Sequence, residues 1–253
     1  MDFRNAKELL KVCQEQGLSI SAVMLQRELT EGEQDPEETD RKMDRVLEIM
    51  KSAASTPIHT PVKSMGGLIG GEAKKISDHK DTGKGLCGDL LERAVIYAMA
   101  TLETHHANLS TYLGVIVASP TAGSAGIVPG LLLALQETYD LSDEQIKQGL
   151  YNASAIGYLA MRNATVAGAV GGCQAEVGIA SAMAASATVE LMGGSPEQSL
   201  AAASTVLMNM LGLVCDPVGG LVEYPCQNRN AAGVSNALIA AEMSLAGITQ
   251  FIP

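Results

Sequence analysis

The residues of this 253-residue chain with the most chemistry in them are five cysteines, at positions 13, 87, 173, 215 and 226. Cys215 and Cys226 stand eleven positions apart around a proline- and glycine-rich loop, VCDPVGGLVEYPC. Cys173 follows a Gly-Gly pair in GAVGGCQAEVG and opens a predicted helix, where unpaired N–H groups and the helix dipole favour thiolate over thiol. Cys215 comes just after a helix ending at Leu211-Gly212, and Cys226 closes the proline-bounded loop. Three thiolates on loop and helix ends can converge on one metal centre, or they can be three separate structural cysteines. No CxxC spacing decides between these readings. If they converge, three sulfur ligands with no obvious fourth leave one coordination position open. Thiolate ligation suits zinc or an iron-sulfur cluster, and an open position makes a Lewis acid able to polarise an oxygen-bearing substrate. Cys13, on the apolar stripe of the first helix, reads as a small buried hydrophobe, and Cys87, in GKGLCGD, has no evident partner.

Charge and composition narrow the setting of that chemistry. The net charge is -11, with acidic residues gathered in EGEQDPEETDRKMD, so the chain carries no basic footprint for nucleic acid. The longest apolar tracts, such as 179–189, are interrupted before they reach membrane-spanning length, so no membrane span is expected. An odd number of cysteines and a start, MDFRNAKELLKV, without the basic and apolar regions of a secretory signal point to a reducing cytoplasm.

The elements that must position the thiols read as helices. Phe3, Ala6, Leu9, Leu10 and Cys13 recur at helical spacing, as do Met43, Val46, Leu47 and Met50. Residues 55–85 hold prolines, glycines and no sustained period, which predicts a long loop region. Beyond it, 88–104, 126–139, 142–158, 174–192, 195–211 and 231–246 are each periodic, with starts at Ser142-Asp143-Glu144 and Ser195-Pro196-Glu197. Leu113–Ala118 and Gly220–Tyr224 are the only short runs that read as extended as readily as helix or loop. Two helices are built mainly of alanine, glycine and serine, which lets helix axes approach closely. The fold expected is all-α: a short N-terminal helical region, 1–54, and a compact multi-helix catalytic domain, 55–253.

Several blocks carry a resemblance: SPTAGSAGIVPG (119–130), NATVAGAVGGCQAEVG (163–178), GGSPEQSL (193–200), NMLGLVCDPVGGLVEYPC (209–226) and RNAAGVSNALIAAEMSLAGIT (229–249). Together they resemble the alpha chain of the bacterial iron-sulfur-dependent L-serine dehydratases, a likeness that runs from the first helix to the end. The resemblance implies that Cys173, Cys215 and Cys226 hold a [4Fe-4S] cluster whose fourth iron is left to the substrate. It implies deamination of L-serine to pyruvate and ammonia, and nothing in the chain positively indicates pyridoxal phosphate.

For the substrate carboxylate, the backbone N–H groups of SPTAGSAG, with the hydroxyls of Thr121 and Ser124, can form an anion nest, or the stretch can be a tight helix junction with no ligand. The resemblance favours the former and implies substrate contacts from Ser119, Thr121, Ala122, Gly123 and Ser124. It extends to the loop KSMGGLIGGEA, with Gly66, Gly67, Gly70 and Gly71 as site members, although Ile69 stands where the family has a threonine and Glu72 where it has another acid. No general base is assigned. Glu176 shares a helix face with Cys173, but a cap or salt-bridge role fits it equally. The family's histidine belongs to a Ser-Ser-His-Thr motif of the beta domain, absent here, which implies a beta-chain partner, and an oligomer is expected. The family normally continues beyond Ile252-Pro253, so a C-terminal segment is expected to be missing. Two other functions stay open: a cysteine desulfidase-like β-elimination on another amino acid, and a truncated scaffold subunit without activity.

Overall fold

The helix starts are written into the sequence by side-chain caps. The computed structural model describes residues 2–32, 35–106 and 114–250. Asn5 and Ser19 accept from the N–H groups of Glu8 and Ala22 to open α1 (Ala6–Gln16) and α2 (Ile20–Glu31). Ser142 and Ser195 form reciprocal capping boxes with Gln145 and Gln198, opening α7 (Asp143–Asn163) and α10 (Pro196–Asn209) as the sequence predicts. Among the described residues the other α-helices are α3 (Pro36–His59), α4 (Glu72–Asp81), α5 (Asp89–His106), α6 (Ile127–Tyr139), the single turn α8 (Gly168–Gly171), α9 (Cys173–Leu191) and α11 (Cys226–Leu245). No strand occurs among them, so the all-α expectation holds.

Two local expectations are corrected, and one open alternative is decided. The loop expected over 55–85 is shorter: α3 continues to His59, passing through residue 54 without a break, and α4 fills Glu72–Asp81. α4 lacks an apolar period because it buries only Ala73, and it is held instead by termini that suit the helix dipole, Glu72 at its start and His79 and Lys80 at its end. α11 begins at Cys226 rather than at 231, immediately after Pro225. The extended alternative for Gly220–Tyr224 gives way to a 3-10 turn, Val218–Gly220, and irregular chain. Residues 114–118 are irregular too, and Leu113 lies outside the described residues.

α9 is the axis of the molecule. Ala, Ser and Gly dominate it, it is buried along nearly its whole length, and α6, α7, α10 and α11 pack around it. Small side chains make that packing possible. A Cβ on Gly233 of α11 would stand 2.7 Å from Ile127 Cδ1 and 2.8 Å from Ser181 Oγ. α5 lies against α3, α4, α6 and α11, and α6 approaches it so closely that a Cβ on Gly126 would sit 2.3 Å from the carbonyl oxygen of Ala98. α1 and α2 form a second apolar cluster, Phe3, Leu9, Cys13, Ile20 and Val23 against Tyr151 and Ala155 of α7. The result places the first residues of α9 and α11 next to the loop that joins α10 to α11.

Candidate metal centre

Cys173 and Cys226 are each the first residue of a helix, α9 and α11, and both are buried; Cys215 is exposed on the loop between α10 and α11. Backbone bonds stitch that loop to α9. Gln174 N donates to Leu213 O at 2.8 Å, and Gly212 N donates to the Gln174 side chain at 2.9 Å. Gly172 caps α9 with φ 77° and approaches Leu213 O so closely that a Cβ would lie 2.9 Å away, which restricts the position to glycine. The far end of the loop closes through Val218 N to Tyr224 O at 2.9 Å.

The three sulfurs share one electrostatic neighbourhood. Burial, together with the charges of Cys173, Glu176 and Cys215, pushes the Cys226 thiol up to about 11. Burial also raises Cys173; the Arg229 guanidinium beside it pulls the other way, and Cys215 and Glu176 add to the rise. The expectation that a helix N-terminus makes Cys173 a thiolate is therefore corrected. Burial raises Cys173 despite the Arg229 guanidinium, and it raises Cys226 as well. Arg229 Nη1 donates to Cys173 Sγ at 3.3 Å and to Val214 O at 3.0 Å, and pairs with Asp216 at 2.6 Å. One guanidinium thus fixes both the first thiol and the loop carrying the second.

Two further side chains tie the outlying segments to this point. Asn230, fully buried on α11, accepts from Gly126 N at 3.1 Å and donates to Gly123 O at 2.8 Å and Cys226 O at 2.9 Å. It locks the SPTAGSAG segment, which forms a 3-10 turn at Ala122–Ser124, onto the helix of Cys226. Glu223, 1% exposed, accepts from Ser64 Oγ at 2.7 Å, Gly66 N at 2.6 Å and Leu68 N at 3.1 Å, so it fastens the glycine loop to the cysteine loop. A Cβ on Gly66 would fall 2.3 Å from Leu221 Cδ1 and 2.9 Å from the Glu223 carboxylate.

The candidate substrate residues divide by location. Thr121 and Ser124 face each other at 3.1 Å, and Thr121 Oγ1 also donates to Glu176 of α9. Gly123 packs directly on that carboxylate: a Cβ would stand 2.7 Å from Glu176 Oε1. The N-terminus of α6 is less available than an anion nest requires, because Gly126 N is taken by Asn230 and Ala125 N by Ala122 O. Ser119 is buried with its hydroxyl unpartnered, and it lines a cleft of about 350 Å³ among Met43, Met50, Val128 and Met183. Gly66 and Gly70 lie tight against Glu223 and Val62 O, Gly67 takes positive φ in open space, and Gly71, also at positive φ, is the N-cap of α4. Cys13 is buried in the cluster of α1 and α2, and Cys87 is exposed before α5, both apart from the centre.

Among the described residues no three His, Cys, Asp or Glu side chains close on one point as a lone metal requires. The three cysteines nevertheless lie close enough to raise one another's thiols.

A family described as "Serine dehydratase alpha chain" matches residues 15–253. The chain belongs to the serine dehydratase alpha-chain family. Its relatives include the "Probable L-serine dehydratase, alpha chain" of Bacillus subtilis, 49% identical over 251 residues, 99% of this chain and 82% of the other. The "L-serine dehydratase, alpha chain" of Peptoniphilus asaccharolyticus is 42% identical over 99% of this chain and 84% of its own length. The "L-serine dehydratase" of Streptomyces coelicolor is 38% identical over 97% of this chain, which spans 53% of that longer protein. Within this serine dehydratase alpha chain, Arg229, Asn230 and Glu223 are the residues that sequence reasoning misses. Arg229 and Glu223 each lie three positions from Cys226, a spacing that places a charge near a candidate ligand but does not say which way it faces.

Proposed function

We propose that this chain is the alpha subunit of a two-chain L-serine dehydratase, deaminating L-serine to pyruvate and ammonia on a [4Fe-4S] cluster held by Cys173, Cys215 and Cys226. The observation that carries the reading is the alignment with L-serine dehydratase alpha chains over almost the whole chain, and three thiols from three segments, two of them on helix N-termini, that influence one another's charge support it. The names of those relatives support a second subunit. No helix of the described residues is long and apolar enough to cross a membrane.

Bound there, the cluster would supply a Lewis-acidic iron for the substrate's oxygen. The chain's own residues do the rest. The thiols must lose their protons to become ligands, so loading is favoured by rising pH. Arg229 offsets part of the negative charge that three thiolates bring to a half-buried site. Thr121 Oγ1 donates to Glu176 and pairs with Ser124 Oγ, and Asn230 holds their turn in place. Serine loses its α-proton and β-hydroxyl as water, and the resulting aminoacrylate tautomerises to an imine that water hydrolyses to pyruvate and ammonia. The test is pyruvate release from L-serine by the anaerobically reconstituted chain with and without a beta chain, with L-threonine and L-cysteine as competitors. Turnover of serine only in the two-chain sample supports the proposal; sulfide release from cysteine without serine turnover overturns the substrate, and no turnover with an intact cluster and beta chain overturns the activity.

A further inference from the structure

Glu176 is a carboxylate beside Cys173 and Cys226 with no cation paired to it among the described residues. It stands one helical turn beyond Cys173 on α9, close enough to raise both Cys173 and Cys226. Among the described residues no lysine, arginine or histidine forms an ion pair with it, and the guanidinium of the site, Arg229, is committed to Asp216, Cys173 Sγ and Val214 O. It does not cap its own helix, whose N-cap Gly172 has no side-chain partner. Its hydrogen bond runs instead across to the hydroxyl of Thr121.

The carboxylate sits in a slot made by two glycines. A Cβ on Gly168 would lie 2.4 Å from Glu176 Oε2, and one on Gly123 would lie 2.7 Å from Oε1. Both neighbouring segments therefore approach the oxygens as bare backbone, and any side chain at either position would force the carboxylate to shift. A part-buried carboxylate with no ion-pair partner among the described residues, held by one hydroxyl, is an acceptor complementary to the ammonium end of an α-amino acid zwitterion.

We propose that Glu176 binds the α-ammonium of the substrate and so makes the site select amino acids over hydroxy acids of the same skeleton. The assignment rests on the proposed serine deamination. A neutral hydroxyl in place of the ammonium would leave the carboxylate without its charged donor, and a hydrogen bond involving a charged group is worth about 1.5–3 kcal/mol, or roughly 10- to 100-fold.

The test compares L-serine with L-glycerate, which carries a hydroxyl where serine carries the amine, on the reconstituted two-chain enzyme. The readouts are KM, kcat, the inhibition constant of glycerate and the shift in melting temperature that each compound produces. In Glu176→Gln the KM for serine is expected to rise about 10- to 100-fold while glycerate inhibits as well as or better than before, and the stabilisation by serine shrinks. Glu176→Asp, which keeps the charge, recovers part of the preference. Equal weakening of both compounds overturns the assignment, as does a loss of kcat with KM unchanged, which would make Glu176 a proton-transfer group. Loss of iron in both variants with the preference retained also overturns it. Failure of the function itself reads differently, because then the wild-type complex neither turns over serine nor is stabilised by it.

Discussion

Removing the Glu223 side chain tests whether the glycine loop is truly fastened to the cysteine loop. The carboxylate is buried and receives three donors, the Ser64 hydroxyl and the N–H groups of Gly66 and Leu68. In Glu223→Ala the Ser64 hydroxyl, itself 5% exposed, loses its acceptor in the interior, a loss of about 1–3 kcal/mol. Gly66 and Leu68 lie near the surface, where water can replace the lost acceptor, so each adds about 0.5–1 kcal/mol. Part of the total is returned, because a buried anion no longer has to be desolvated. The net expectation is a loss of about 2–3 kcal/mol, with Glu223→Gln falling between variant and wild type, because an amide presents N–H to one of the donors it replaces. Urea unfolding reads the midpoint and slope, and hydrogen exchange reads the amides of 64–69. A lower midpoint at unchanged slope, with faster exchange in that loop, is the expected outcome. A change below about 0.5 kcal/mol, the scale of an ordinary surface substitution, would refute the latch.

Three other outcomes follow from the same geometry. Gly126→Ala places a Cβ 2.3 Å from Ala98 O at a φ of -80° that alanine accepts, so the damage is purely steric; a loss of about 1–3 kcal/mol or more is expected, read by urea unfolding, and an unaltered midpoint would mean that α5 and α6 can separate freely. In the cluster-free protein, alkylation followed by mass spectrometry should label Cys87 and Cys215 readily and Cys13, Cys173 and Cys226 slowly, since the last three are buried and their thiols are raised; equal labelling of all five would contradict the burial. Burial lifts the Glu103 carboxyl above its ordinary 4.5, so the folded state holds that proton more tightly than the unfolded chain does. Its contribution to stability is complete below 4.5 and is lost as pH rises through the raised value. The stability difference between wild type and Glu103→Gln should therefore fall with rising pH in that window, and parallel urea midpoints across it would refute the shift.

Much of the fold is legible in the sequence because helix caps are local. Ser142 and Ser195 announce α7 and α10, and the apolar spacing of Met43, Val46, Leu47 and Met50 announces α3. α4 escapes because its ten residues bury only Ala73, which leaves no period to detect. The three cysteines of the centre stand out by their glycine and proline surroundings and by the family likeness. Their electrostatic state does not: a helix N-terminus predicts thiolate, whereas burial, visible only in three dimensions, raises Cys173 and Cys226. The supports are hidden for a similar reason. Asn230 joins Gly123 and Gly126 across more than a hundred residues, and Glu223 reaches back to Ser64, so neither contact leaves a local pattern. Ser119 shows the reverse case, a residue grouped by sequence with Thr121 and Ser124 that opens onto a different, apolar cleft.

The account turns on three thiols sharing one inorganic centre. Iron and acid-labile sulfide should be counted after anaerobic reconstitution of the wild-type chain and of the five single Cys→Ser variants, with the charge-transfer absorbance recorded on the same samples. The account predicts about four irons and four sulfides per chain in the wild type, Cys13→Ser and Cys87→Ser, and loss of both in Cys173→Ser, Cys215→Ser and Cys226→Ser. Full iron and sulfide in any of the last three, or their loss in either of the first two variants, would contradict it.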